Sequence, residues 1–167
     1  MDKFLSNYDL EELTPNCKIV TNDQVKYNNT IEELFEDYDI VYLLYPWYPG
    51  TQIGHWTVLT KYNNRICYFD SYGHDLDYHA KKSKQFYVTQ LLLNAFDDYD
   101  IQYNSIPLQS SNKDIATCGY YCVLWAKNYQ EFNEIDEFSD AIIHNANEAN
   151  MTPDQYVFIK ISMLLKK

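Results

Sequence analysis

Three side chains of this chain have the chemistry to act together on a carbonyl group: the thiol of Cys118, the imidazole of His55 and the carboxylate of Asp70. Cys118 opens an apolar stretch, Cys118 to Ala126, directly after a polar, turn-rich run from Ser110 to Asp114. Cys118, Tyr121, Cys122 and Trp125 stand at i, i+3, i+4 and i+7, the stripe that one helix face buries. Thr117 or Asp114 is placed to cap the start of that helix. A thiol there meets unpaired N–H groups and the positive end of the helix dipole, which favours the thiolate, the form that attacks carbon. Taken alone, Cys118 reads as a small core residue; its partners upstream change that reading.

His55–Tyr62 and Arg65–Asp70 are β-forming runs on either side of Asn63-Asn64, a two-residue hairpin turn. The turn fixes the register, setting Tyr62 opposite Arg65 and Thr57 opposite Asp70. Side chains alternate along a strand, so His55 shares a face with Thr57 and becomes the diagonal neighbour of Asp70. Diagonal backbones lie roughly 7–8 Å apart, within reach of a carboxylate–imidazole hydrogen bond. A slip of one residue would part the two side chains to opposite faces.

The elements around these residues form an α+β pattern of strands followed by helices, with a hairpin at the centre and one domain over residues 1–167. Short helices are expected at 8–13 and 30–38, the second opened by a capping-box pattern, Thr30 with Glu33. Ile40–Tyr45 lacks alternation, as a strand covered on both faces does. The following loop, Pro46 to Gly54, carries two prolines, two glycines and Trp47, and could line a substrate path. An amphipathic helix is expected over 82–96 with Phe86, Leu92, Leu93 and Phe96 turned to the core, then a strand over 101–106. Helices are expected again from Cys118, over 134–145, and from Thr152-Pro153 to Leu165.

Composition narrows the function classes. The net charge of −11 over 167 residues argues against binding a phosphate backbone, so no nucleic-acid partner is expected. The first residues have neither the basic nor the apolar region of a secretory signal, and the longest apolar runs are too short to span a bilayer. Cys17, Cys67, Cys118 and Cys122 follow no disulfide framework, which points to free thiols in a reducing compartment. Cys118 and Cys122 lie one helical turn apart, but no matching His or Cys pair stands nearby, so no metal is expected. His74, His79 and His144 show no partners in the sequence and read as surface residues, and Cys17, Cys67 and Cys122 as buried, inert thiols.

Gly54-His55-Trp56, then Tyr68 to Gly73 (YFDSYG), then Gln109, then Thr117 to Cys122 (TCGYYC) occur in that order. The pattern resembles the adenovirus-type and SUMO-protease-type cysteine peptidases (clan CE), over about residues 40–127, and is nearest to the small proteases of adenoviruses, virophages and other large DNA viruses. The resemblance implies a mixed or antiparallel sheet flanked by helices, with the nucleophile at a helix N-terminus. It implies Cys118 as nucleophile, His55 as base, Asp70 as the residue orienting the ring, and Gln109 as oxyanion-hole donor, with Asn112 as the alternative. Trp56 is expected to wall a narrow cleft, with Trp47 and Gly119 also meeting substrate. The implied activity is endopeptidase processing of virion precursors at Gly-Gly-X or Gly-X-Gly sites, with a protein or peptide partner, no cofactor, no membrane, and a monomeric enzyme. The implied place is the host cytoplasm or a virus factory, with packaging in the virion. The alternatives are an isopeptidase acting on ubiquitin-like modifiers and an acetyltransferase running on the same residues. An activating peptide or DNA, used by adenovirus enzymes, is not carried over.

Overall fold

Tight pairing on either side of a two-residue turn sets the centre of the sheet. In the computed structural model, which describes residues 1, 3–112 and 115–165, five strands lie side by side in chain order. They are β1 (Lys18–Thr21), β2 (Ile40–Pro46), β3 (Gly54–Tyr62), β4 (Arg65–Phe69) and β5 (Asp100–Tyr103). β2, β3 and β4 run antiparallel, while the edge strands β1 and β5 pair parallel to their neighbours. The sheet is therefore mixed and the class is α+β, as expected. Tyr62 faces Arg65 and Val58 faces Phe69, the register the turn demands. Asn63 enters the left-handed region at φ 55°, which asparagine tolerates better than most residues.

Alternation divides the sheet into two cores. Tyr42, Leu44, Trp56, Val58, Cys67 and Phe69 face helices α1 (Asn7–Leu13), α5 (Cys118–Asn128), α6 (Ile135–Glu148) and α7 (Pro153–Leu165). Val41, Leu43, Leu59, Ile66 and Tyr68 face α2 (Ile31–Phe35) and α4 (Tyr87–Asn94). The Arg65 guanidinium donates to the carbonyls of Tyr129, Phe132 and Asn133, at 2.7, 2.5 and 2.8 Å, tying the hairpin to the segment after α5.

The expected helix over 82–96 is two helices. α3 (Tyr78–Ser83) stops at Lys84, whose φ of 58° breaks the helical path, and α4 starts again at Tyr87. The restart changes the phase: Val88, Leu91 and Leu92 are buried, whereas Phe86, Leu93 and Phe96 are exposed. α2 is shorter than expected, ending at Phe35, although the Thr30 hydroxyl does accept from the Glu33 N–H. β5 ends at Tyr103 rather than residue 106. Among the described residues, no helix is long and apolar enough to cross a membrane.

Candidate active site

Two cysteines one helical turn apart dock the N-terminal half of α5 onto a single residue of β3. Cys118 Sγ accepts from the Trp56 N–H at 3.5 Å, and the Cys122 thiol donates to the Trp56 carbonyl at 3.4 Å. Thr117 holds the N-cap position of α5, but its hydroxyl donates to Asp154 Oδ1 at 2.6 Å and does not cap the helix. Asp114, the other candidate cap, lies outside the described residues. Asp154 sits in the first turn of α7 and is buried. It also accepts from the Tyr121 hydroxyl and the Ser110 N–H, each at 3.0 Å, so one carboxylate pins α5 and the polar loop before it.

His55 stands at the start of β3. Its Nε2 lies 2.8 Å from Asp70 Oδ1, the diagonal contact that the register requires. With Nε2 committed to the carboxylate, Nδ1 is the nitrogen left for the sulfur, and His55 and Cys118 border the same cleft. Burial works against charge on His55, but the field and hydrogen bond of Asp70, with the contact to Cys118, outweigh it and push its pKa up to about 10. Asp70 is fully buried; burial opposes its charge as well, and the surrounding imidazoles, His55 foremost, still hold its carboxyl well below the usual range. Burial raises Cys17, takes Cys67 up to about 12 and lifts Cys122 well above an ordinary thiol. All four cysteines are unpaired.

Asp70 has more partners than the sequence indicated. His79 Nε2 lies 2.8 Å and His74 Nδ1 3.3 Å from Oδ2, so neither is the free surface residue expected; His144 is exposed. The Tyr72 N–H donates to Oδ1 at 3.0 Å. Asn104, buried beyond β5, exchanges two hydrogen bonds with the Asp70 backbone, at 2.8 and 2.6 Å. Nothing local in the sequence marks His74, His79, Asn104 or Asp154, because each acts through a contact made across a loop.

A cleft of about 570 Å³ opens beside Cys118 and His55. Gln109 and Asn112 both line it, as do Trp47, Tyr48 and Tyr72. The Gln109 amide is held in place: Ser71 Oγ donates to its Oε1 at 2.6 Å, which turns Nε2 away from Ser71, and that nitrogen makes a long 3.3 Å contact to the Ile115 carbonyl. Trp56 does not wall the cleft. It is 2% exposed and its indole N–H donates to the Leu5 carbonyl at 3.2 Å. The reason is alternation: neighbours on a strand face opposite ways, so Trp56 must point away from His55. Gly119 is buried and is not among the residues that line the cleft; a Cβ there would come within 3.2 Å of Leu5 and 3.3 Å of Trp56. Trp47 takes the wall position, with its ring edge-on to Phe4 at 5.3 Å.

Gly54 pairs with Pro46 immediately before His55, and a Cβ there would overlap the Tyr45 carbonyl oxygen and lie 2.7 Å from Pro46 Cα. Gly54→Ala is therefore expected to destabilise the fold by about 3 kcal/mol, since backbone cannot move aside as a side chain can. Urea unfolding measures it, and a loss under half that figure would show that β2 and β3 can part at this end.

No protein-family model matches the chain. The chain is 30% identical over 163 residues to the uncharacterized protein V9 of Sputnik virophage, covering 92% of this chain and 91% of that protein. It belongs to the V9 family. Among solved structures, this V9-family chain is similar to the ASFV pS273R protease at 15% identity and a TM-score of 0.45, covering 77% of this chain and 59% of that one. It thus spans about three fifths of the pS273R chain. ChlaDub1 from Chlamydia trachomatis matches at 15% identity and 0.39, covering 82% and 70% of the two chains. A de-sumoylating protease matches at 15% and 0.41, covering 99% and 86%.

The V9-family site also offers a set of metal-type donors: ligand atoms of His55, Asp70 and His79 lie within 4.8 Å of one another. They already satisfy each other by hydrogen bonds, so a cation would have to displace two of these. An imidazole between a buried carboxylate and a sulfur, with a carboxamide beside them, is equipped for nucleophilic acyl transfer.

Proposed function

We propose that this chain is a cysteine endopeptidase of a virus or virus-like element, processing virion precursor proteins at glycine-containing sites. The reading is carried by His55, which bonds Asp70 Oδ1 at 2.8 Å and shares one cleft with Cys118. A ring held protonated at neutral pH stabilises a thiolate beside it, and the start of α5 adds to that. The Cys118 thiolate attacks the scissile carbonyl carbon and the carbonyl electrons move onto oxygen. As the tetrahedral intermediate collapses, the C–N bond breaks and His55 gives its proton to the leaving amine. The acyl group is left on sulfur as a thioester. Water, losing a proton to His55, then attacks the thioester and releases the new carboxyl end and the thiolate, and the ring is charged again.

Gln109 Nε2 donates to the developing oxyanion, its orientation set by Ser71. Aromatic side chains along the cleft, Trp47, Tyr48 and Tyr72, favour substrate residues that are small next to the cut bond. Kinship with a virophage protein supports a virus-like source, with action inside the infected cell.

The test offers purified protein Gly-Gly-X peptides, the capsid precursors of its own element, and ubiquitin-like fluorogenic substrates. Cleavage of the first two supports the proposal, and cleavage of the third alone replaces it with an isopeptidase. Silence on all three, with Cys118 alkylating no faster than the other thiols, ends it. Gln109→Ala is expected to lower turnover roughly 10²–10³-fold with little change in KM, the mark of a donor engaged in the transition state. An equal loss in Asn112→Ala, with Gln109→Ala unaffected, would move the role to Asn112.

A further inference from the structure

We infer that His79 is a positioning residue for the acid–imidazole pair: it fixes the second oxygen of Asp70 and backs the ring of His55. The inference rests on the reading of Cys118, His55 and Asp70 given above. His79 Nε2 lies 2.8 Å from Asp70 Oδ2, while His55 Nε2 holds Oδ1 at the same distance. The His79 ring is stacked between Tyr45, at 4.6 Å and 25°, and His55, at 4.9 Å and 28°. Its side chain is 11% exposed, at the border of a second cavity of about 410 Å³ that His55 also lines and Cys118 does not. One imidazole therefore touches both members of the pair from the side away from the sulfur.

The groups facing His79 fix its state. Tyr45 comes from β2, His55 from β3, Asp70 and His74 from the strand end and turn after β4, and Tyr78 from its own helix; Lys82 lines the same cavity. Burial lowers its pKa, against the pull of Asp70, so the ring is neutral where His55 is charged. An ionised carboxylate only accepts, so the neutral ring must carry its proton on Nε2 and donate to Oδ2. At Oδ2 the His79 contact is the shorter, 2.8 Å against 3.3 Å for His74 Nδ1, so His79 does most to stop the carboxylate swinging about its last torsion and to present Oδ1 to His55 in a single orientation. The neutral ring also stacks beneath the imidazolium without repelling it. Were His79 charged as well, two cations would face each other across one carboxylate.

The experiment follows alkylation of Cys118 by iodoacetamide across pH, in the full chain, with melting temperature and an NMR titration of the His55 ring alongside. His79→Phe keeps a ring in the stack and removes the donor. It is expected to raise the pH of half-maximal Cys118 alkylation by about one unit, equal to about a tenfold slower reaction at pH values well below the old midpoint, and to lower the apparent pKa of His55. His79→Gln reaches Oδ2 with an amide N–H and is expected to restore most of the shift. Overlapping profiles of His79→Phe and wild type overturn the inference. So does a His79→Gln profile no better than that of His79→Phe, or a lowered melting temperature with no change in either titration, which is what a packing role alone gives. If wild-type Cys118 alkylates no faster than Cys17, Cys67 and Cys122, the peptidase reading fails; the His55 titration then decides on His79, unchanged in His79→Phe against it and lowered in its favour.

Discussion

Replacing Cys118 by alanine is expected to abolish peptide cleavage, with turnover falling roughly 10⁴–10⁶-fold, because a residue that forms the covalent intermediate has no substitute. The fold should survive. Cys118 is 4% exposed at the edge of a cleft, and the change removes one sulfur atom and one weak bond from the Trp56 N–H. Melting temperature should move by only a few degrees. Serine at the same position should be nearly as inactive, since an alkoxide is far harder to form than a thiolate beside an imidazolium. Cleavage assays with the alanine variant decide the matter: retention of a tenth of wild-type turnover would remove Cys118 from the chemistry, whatever its surroundings.

The second large effect is expected at Asp70. Asp70→Asn keeps the shape but puts an amide among three imidazoles, so one N–H must face another donor or the side chain must turn. By analogy with serine triads, loss of the orienting carboxylate costs about 10⁴ in turnover. It should also change how stability depends on pH. The folded pKa of His55 is raised from 6.5 to about 10, so its contribution is complete below pH 6.5 and is lost as pH rises to about 10. The folded pKa of Asp70 is depressed, so its contribution is present above the ordinary carboxyl range and disappears as acid protonates it in the folded state. The two describe one interaction and do not add. Urea midpoints of the wild type should fall between pH 6.5 and 10, and those of Asp70→Asn should change much less. Parallel curves would mean that the pair does not stabilise the fold.

How legible this was depended on the range of each contact. The placing of His55 against Asp70 could be read because a two-residue turn sets the register of everything that follows, and Asn63 supplies the left-handed residue such a turn uses. The fully covered β2 was plain from its unbroken apolar run. β1 was missed because its four residues are all half-buried and show no pattern. The break at Lys84 was hidden by an ordinary residue in the left-handed region, where glycine would have announced it. The error at Trp56 was avoidable: adjacency to His55 on a strand already placed it on the other face. Asn104 and Asp154 were out of reach, since a buried polar residue is recognised by the partner it meets, and those partners lie more than thirty positions off; His79 is only nine from Asp70, but an irregular turn joins them and no strand register relates the two.

The order in which the site comes together follows from the chain's own path. His55 and Asp70 are joined by one hairpin, fifteen positions apart, whereas Cys118 docks on Trp56 from sixty-two positions downstream. Short loops close sooner than long ones, so the imidazole and its acid can associate while α5 is still undocked or not yet synthesised. The sulfur therefore gains its activating ring only when the helical layer closes on the sheet, and a half-made chain on the ribosome carries no working nucleophile.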